Sequence, residues 1–196
     1  MIRFVSSGIV KWLLDSEAIS QQDKELYEYA AYSLLFSIIP LVLVIVVSAL
    51  MGMLPQGITF VIPFLLLRKF SGGYHLKSPG ICFCVSVAVI LLFMLAIKHL
   101  ILANTYLQCI PVVVVSAIQL IVFSPIDSEA RELSEKERTA FKRIVCVLTV
   151  IFACLFGTTI LLGFYWPAIC ISASVFLTAC LQWPCIVTTW LTKRIQ

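Results

Sequence analysis

His75 and Cys82 stand seven residues apart in the run RKFSGGYHLKSPGICFC, residues 68–84. A cysteine within reach of a histidine can act as a nucleophile with its base. The neutral imidazole takes the thiol proton and later returns it to a leaving group. The stretch is also polar, cationic and glycine-bearing, in a chain of 196 residues that is 61% hydrophobic and only 12% charged. Soluble domains carry about 25% charged residues, so this chemistry would sit at the edge of a membrane.

The local signals around Cys82 favour a reactive thiol. Ser78-Pro79-Gly80-Ile81 reads as a helix start, with serine as the cap and proline at the first helical position. Cys82 then falls in the first turn, where unpaired backbone N–H groups and the helix dipole stabilise a thiolate. Lys77, Lys69 and Arg68 add positive charge. Cys84 lies two residues on, about 200° round the helix, and cannot share that face. Gly72-Gly73 permits a loop that folds His75 back over the helix start. Gly73 or the helix-start N–H groups could hold an oxyanion.

The elements that must position these residues are helices, because a membrane span has to satisfy its backbone internally. Apolar runs fall at about 29–54, 57–67, 81–102, 104–124, 144–163 and 165–191. The expected fold is all-α, a polytopic integral membrane protein of about six transmembrane helices. It forms one membrane-embedded domain over 1–196. The run 57–67 is the weak one: Ile58–Leu67 contains Pro63 and makes only about 15 Å of helix. It spans if it begins near Leu54, and a re-entrant hairpin is the alternative. Residues 1–14 place apolar side chains largely on one face and read as an interfacial amphipathic helix within a polar segment, 1–27. No cleavable signal peptide is expected there.

Charge placement orients the spans. With six spans and both termini cytoplasmic, 13 of the 14 lysines and arginines lie inside, and only Lys98 lies outside. The loop 68–80 and the charged connection 124–143, SPIDSEARELSEKERTAFKR, then share the cytoplasmic face. Ser128 or Asp127 could cap a short amphipathic helix in that connection, which is either a solvated link or a peptide-docking surface. His99, beside Lys98, belongs to the opposite face, out of reach of Cys82.

Eight cysteines do not make a disulfide framework here. Cys84, Cys109, Cys146, Cys154, Cys170 and Cys180 lie in or beside apolar runs, where free cysteine acts as a small hydrophobe. No metal-ligand spacing occurs, and no cofactor is required. Ser48, Ala49, Gly52, Gly157 and Gly163 are small enough to permit close helix contacts. The apolar runs hold few polar groups, Gln119 and Asn104 among them, which disfavours the alternative of a peptide exporter without proteolysis. A regulatory membrane subunit, with cysteines serving packing alone, is the remaining class. Nothing points to a nucleic-acid partner.

The run 68–84 resembles the signature of the accessory gene regulator protein B family, bacterial membrane cysteine endopeptidases that process quorum-sensing propeptides. Arg68, Gly72, Gly73, His75 and Cys82 match its pattern, and Ser124-Pro125-Ile126-Asp127 looks like its proline-Val/Ile-Asp element. The resemblance extends over essentially the whole chain. It implies Cys82 as nucleophile, His75 as base, and Arg68 and Gly73 at positions the family needs for activity. It implies a propeptide with an amphipathic leader and an acidic tail, cut on the C-terminal side of its signal segment. The signal would be held as a Cys82 thioester, then released as a cyclic thiolactone or lactone. It also implies a homodimer in the bacterial cell membrane. Two acids could orient His75: Glu28, at the mouth of the first span, and Asp127, at the end of the fourth.

Overall fold

The computed structural model describes residues 2–16, 19–72, 79–126 and 134–187, with Cys82 described by its backbone. All regular elements among them are helical: α1 (Ile2–Asp15), α2 (Lys24–Leu50), α3 (Leu54–Ser71), α4 (Pro79–Leu102), α5 (Cys109–Phe123), α6 (Glu135–Leu161) and α7 (Tyr165–Cys180). Short 3-10 turns precede α2 and α5, at Gln21–Asp23 and Tyr106–Gln108. The chain forms two compact units, Met1–Val46 and Val47–Gln196. In the first, Ser7 Oγ of α1 donates to Glu28 Oε1 of α2 at 3.4 Å.

Among the described residues, four stretches are long and apolar enough to cross a membrane: Cys84–Leu102, Tyr106–Phe123, Glu135–Leu161 and Tyr165–Val187. They correspond to the last four apolar runs of the sequence. The weak run becomes a longer helix than its apolar residues suggested. α3 starts at Leu54, with Pro55 in its first turn, and carries Pro63 without ending. Its 18 residues make about 27 Å of helix. The polar ends Gln56 and Arg68-Lys69-Phe70-Ser71 continue the helix beyond the apolar core.

In the second unit α7 is the hub. It packs against α3, α4, α5 and α6, and 56% of its apolar window is buried, against 17% for that of α4. Phe93 of α4 joins Phe60 of α3 at 5.9 Å and Phe176 of α7 at 6.3 Å. Gln119 Nε2 of α5 donates to the Ala179 carbonyl of α7 at 2.8 Å, a polar tie inside an apolar bundle.

The two ends of this bundle are finished differently. At one end Gly52, Asn104 and Gly163 take φ of 67°, 52° and 78° and close α2, α4 and α6. Each does so by the same pair of backbone bonds: Gly52 N to Ala49 O and Met53 N to Ser48 O, Asn104 N to Ile101 O and Thr105 N to Leu100 O, Gly163 N to Ile160 O and Phe164 N to Thr159 O. This is the left-handed helix cap, for which glycine or asparagine is preferred. It corrects the reading of Gly52 and Gly163 as close-contact residues, since a β-carbon on either, or on Gly157, would meet nothing within 4 Å. At the opposite end the termini of α3, α5 and α7 are tied to one another by side-chain bonds.

The charged connection also differs from its reading. α6 is one 27-residue helix running from the polar segment into the apolar run, not a separate short helix. Its cap is Ser134; Ser128 and Asp127, the caps the sequence suggested for this connection, lie outside the described residues. Glu137 N–H donates to Ser134 Oγ at 3.4 Å, and Ser134 N–H donates to Glu137 Oε2 at 3.1 Å. This reciprocal capping box satisfies two donors at the helix start.

Candidate active site

The site is built where α3 runs out. Arg68 lies in its last turn, and Nη1 donates to the Gly72 carbonyl at 2.6 Å. The guanidinium therefore closes its own helix terminus, where orphan carbonyls and the negative dipole end favour a cation. Lys69 Nζ stands 5.5 Å from the Phe70 ring. Phe70 meets Phe141 of α6 edge-on at 5.6 Å, which brings the start of α6 to the same end of the bundle.

Gly72 has φ 72° and ψ −160°, a conformation reserved almost entirely for glycine. Its backbone forms an isolated parallel bridge with Ile126. Ile126 N–H donates to the Ser71 carbonyl at 3.1 Å. A β-carbon on Gly72 would overlap the Ile126 carbonyl oxygen. The glycine is needed both for its φ and for this approach.

A residue the sequence reading did not single out completes the joint. Gln182, in the turn after α7, is fully buried. Its Nε2 donates to Ser124 Oγ at 2.7 Å and to the Ser71 carbonyl at 3.3 Å. Ser71 and Ser124 are themselves buried. Thus the Ser124-Pro125-Ile126 element pairs with the backbone that leads into the polar loop, and one amide ties both to the end of α7. A lone glutamine in the apolar run 165–191 was the available signal, because a polar side chain at membrane depth is a functional candidate by default.

α4 begins at Pro79, so Cys82 lies in its first turn, as the Ser78-Pro79 signal predicts. Cys84 is exposed. His75 and Gly73 fall in 73–78 and Asp127 in 127–133, outside the described residues, as does the cap expected from Ser78. Of the two acids considered for orienting His75, Glu28 accepts from Ser7 within the first unit. The structure therefore brings together Arg68, Gly72, the Ser124–Ile126 element and Gln182.

Against known proteins, the family model for accessory gene regulator B matches residues 6–187. An AgrB-like protein 2 of Clostridium perfringens strain 13 is 22% identical over 149 residues, covering 73% of this chain and 70% of that protein. An AgrB-like protein of Clostridium perfringens strain SM101 is 22% identical over 201 residues, covering 97% of this chain and 92% of that protein. No solved structure matches the chain.

Proposed function

The chain belongs to the accessory gene regulator B family, and on that premise we propose that it is a membrane cysteine endopeptidase that matures a quorum-sensing propeptide. The observation that carries this reading is the coincidence of the family match with the spacing Arg68…Gly72-Gly73…His75…Cys82. The start of α4 at Pro79, which puts Cys82 in a helix first turn, supports it.

In this mechanism His75 takes the Cys82 thiol proton, and Sγ attacks the carbonyl of the scissile peptide bond. N–H groups at the start of α4 or at Gly73 steady the oxyanion. The tetrahedral centre collapses, the C–N bond breaks, and His75 returns the proton to the departing amine. The signal segment remains on Cys82 as a thioester. A cysteine thiol or serine hydroxyl within the peptide then attacks that carbonyl. Cys82 leaves and recovers a proton, and the product is a thiolactone or lactone ring. Transthioesterification is close to energy-neutral, and limited water at the membrane edge protects the thioester from hydrolysis.

The proposed setting has six spans, cytoplasmic termini and a cytoplasmic active site, with the protein acting as a homodimer. One geometric fact favours a common face for the loop 68–80 and the connection 124–143: both open from the end of the bundle where Gly72 bridges Ile126. The test is co-expression with a candidate propeptide that has an amphipathic leader, a central cysteine or serine and an acidic tail. Cys82→Ala and His75→Ala should each remain in the membrane and lower processing by about 1000-fold or more. Normal processing by either variant sinks the assignment and reopens the exporter reading.

A further inference from the structure

Resting on the reading of Cys82 and His75 as nucleophile and base, we propose that Gln182 is a positioning residue of the processing reaction. Its buried amide locks the ends of α3, α5 and α7 into one joint, from which the His75 loop departs.

Three observations carry this. First, the helices that end away from the loop close themselves with left-handed caps at Gly52, Asn104 and Gly163. α3 lacks that pair of bonds: besides the local Arg68 bond to the Gly72 carbonyl, its Ser71 carbonyl accepts from Gln182 Nε2 and from Ile126 N–H. Residues distant in sequence thus join Gly72 and Arg68 in setting the direction in which the chain leaves α3. Second, Gln182 is fully buried and bonds two segments at once, whereas a leucine or methionine would fill the same volume without desolvating an amide. Its Oε1 is also buried, with no hydrogen-bond partner among the described residues. A buried acceptor in that state is costly, which argues against simple space filling. Third, the joint is adjacent to the chemistry. Gly72, whose carbonyl Arg68 caps, precedes His75 by three residues, and α4 starts seven residues after Gly72. With α4 holding Cys82 at one end of the loop, the angle of departure at Gly72 decides where the imidazole can reach. An error of about 1 Å in such a placement can reduce rate about 100-fold.

The test reads the Cys82–His75 pair without needing a substrate. The probe is iodoacetamide, applied at neutral pH to the full chain in native membranes, with Cys82 alkylation followed by mass spectrometry. Gln182→Met removes both hydrogen bonds and keeps the volume. Gln182→Glu, neutral when buried, keeps one donor. Ser124→Ala removes one bond only and serves if Gln182→Met fails to fold.

The expected result is Cys82 alkylation slowed about 10- to 100-fold in Gln182→Met. Gln182→Glu and Ser124→Ala should fall between it and wild type, with membrane level and melting temperature held in all three. A folded Gln182→Met whose Cys82 reacts at the wild-type rate overturns the proposal, provided His75→Ala slows the same reaction. If His75→Ala leaves the rate unchanged, the nucleophile–base reading itself fails and the role of Gln182 falls with it.

Discussion

The backbone of Gly72 lies alongside that of Ile126 as a single parallel bridge, so close that no β-carbon fits between Gly72 and the Ile126 carbonyl. The loop carrying His75 starts on one side of this bridge and the charged segment leading to α6 on the other. Two elements that look independent in the sequence therefore share one joint.

The first prediction is for Gly72→Ala. The substitution meets both a φ of 72° and the Ile126 carbonyl. Backbone strain alone should cost about 1–3 kcal/mol, and relieving the overlap requires the two segments to part. A lowered melting temperature with loss of propeptide processing is expected. Wild-type stability and activity in Gly72→Ala would show that the bridge does not form.

Arg68 caps the Gly72 carbonyl from one turn back. Arg68→Lys keeps the charge but lacks the planar fork that reaches this carbonyl. A hydrogen bond to a charged group contributes about 1.5–3 kcal/mol, so Arg68→Lys should retain only part of the processing rate and Arg68→Ala should lose most of it. Hydrogen exchange at the end of α3 should quicken in the same order. Equal exchange in all three proteins would contradict the capping role.

The capping box at α6 predicts an effect on stability separate from chemistry. Ser134→Ala removes the acceptor for Glu137 N–H and should destabilise the helix start by about 0.5–2 kcal/mol. Amide exchange over the first turn of α6 should rise, while alkylation of Cys82 stays near the wild-type rate. A change confined to Cys82 would argue that this turn belongs to the active site.

The tie between Gln119 and the Ala179 carbonyl offers a contrast with Gln182. Interhelical hydrogen bonds in membranes contribute about 0.6 kcal/mol on average. Gln119→Leu should therefore shift the melting temperature slightly and leave processing intact. A large loss of processing in that variant would mean the α5–α7 contact itself feeds the site.

By itself the sequence determined the solvent and the local elements. Apolar runs bounded by charge specify membrane-length helices, because no other segment satisfies its backbone in lipid. Ser78-Pro79 marks the start of α4 and hence the turn that holds Cys82, since proline costs a helix nothing at its first position. Other local signals in the sequence mark helix ends. Ser134-x-x-Glu137 is a capping box written in the sequence, and Gly52 and Gly163 end helices rather than pack between them.

Only the tertiary structure decided which helix ends meet. Hydrophobic periodicity reports which face of a helix is buried, but not which terminal carbonyl will accept which distant donor. The convergence of Ser71, Ser124, Ile126 and Gln182 depends on packing α3, α5 and α7 together with their ends level. Hydrogen bonds act over about 3 Å, so residues separated by more than a hundred positions, such as Ser71 and Gln182, become partners only after the bundle has formed.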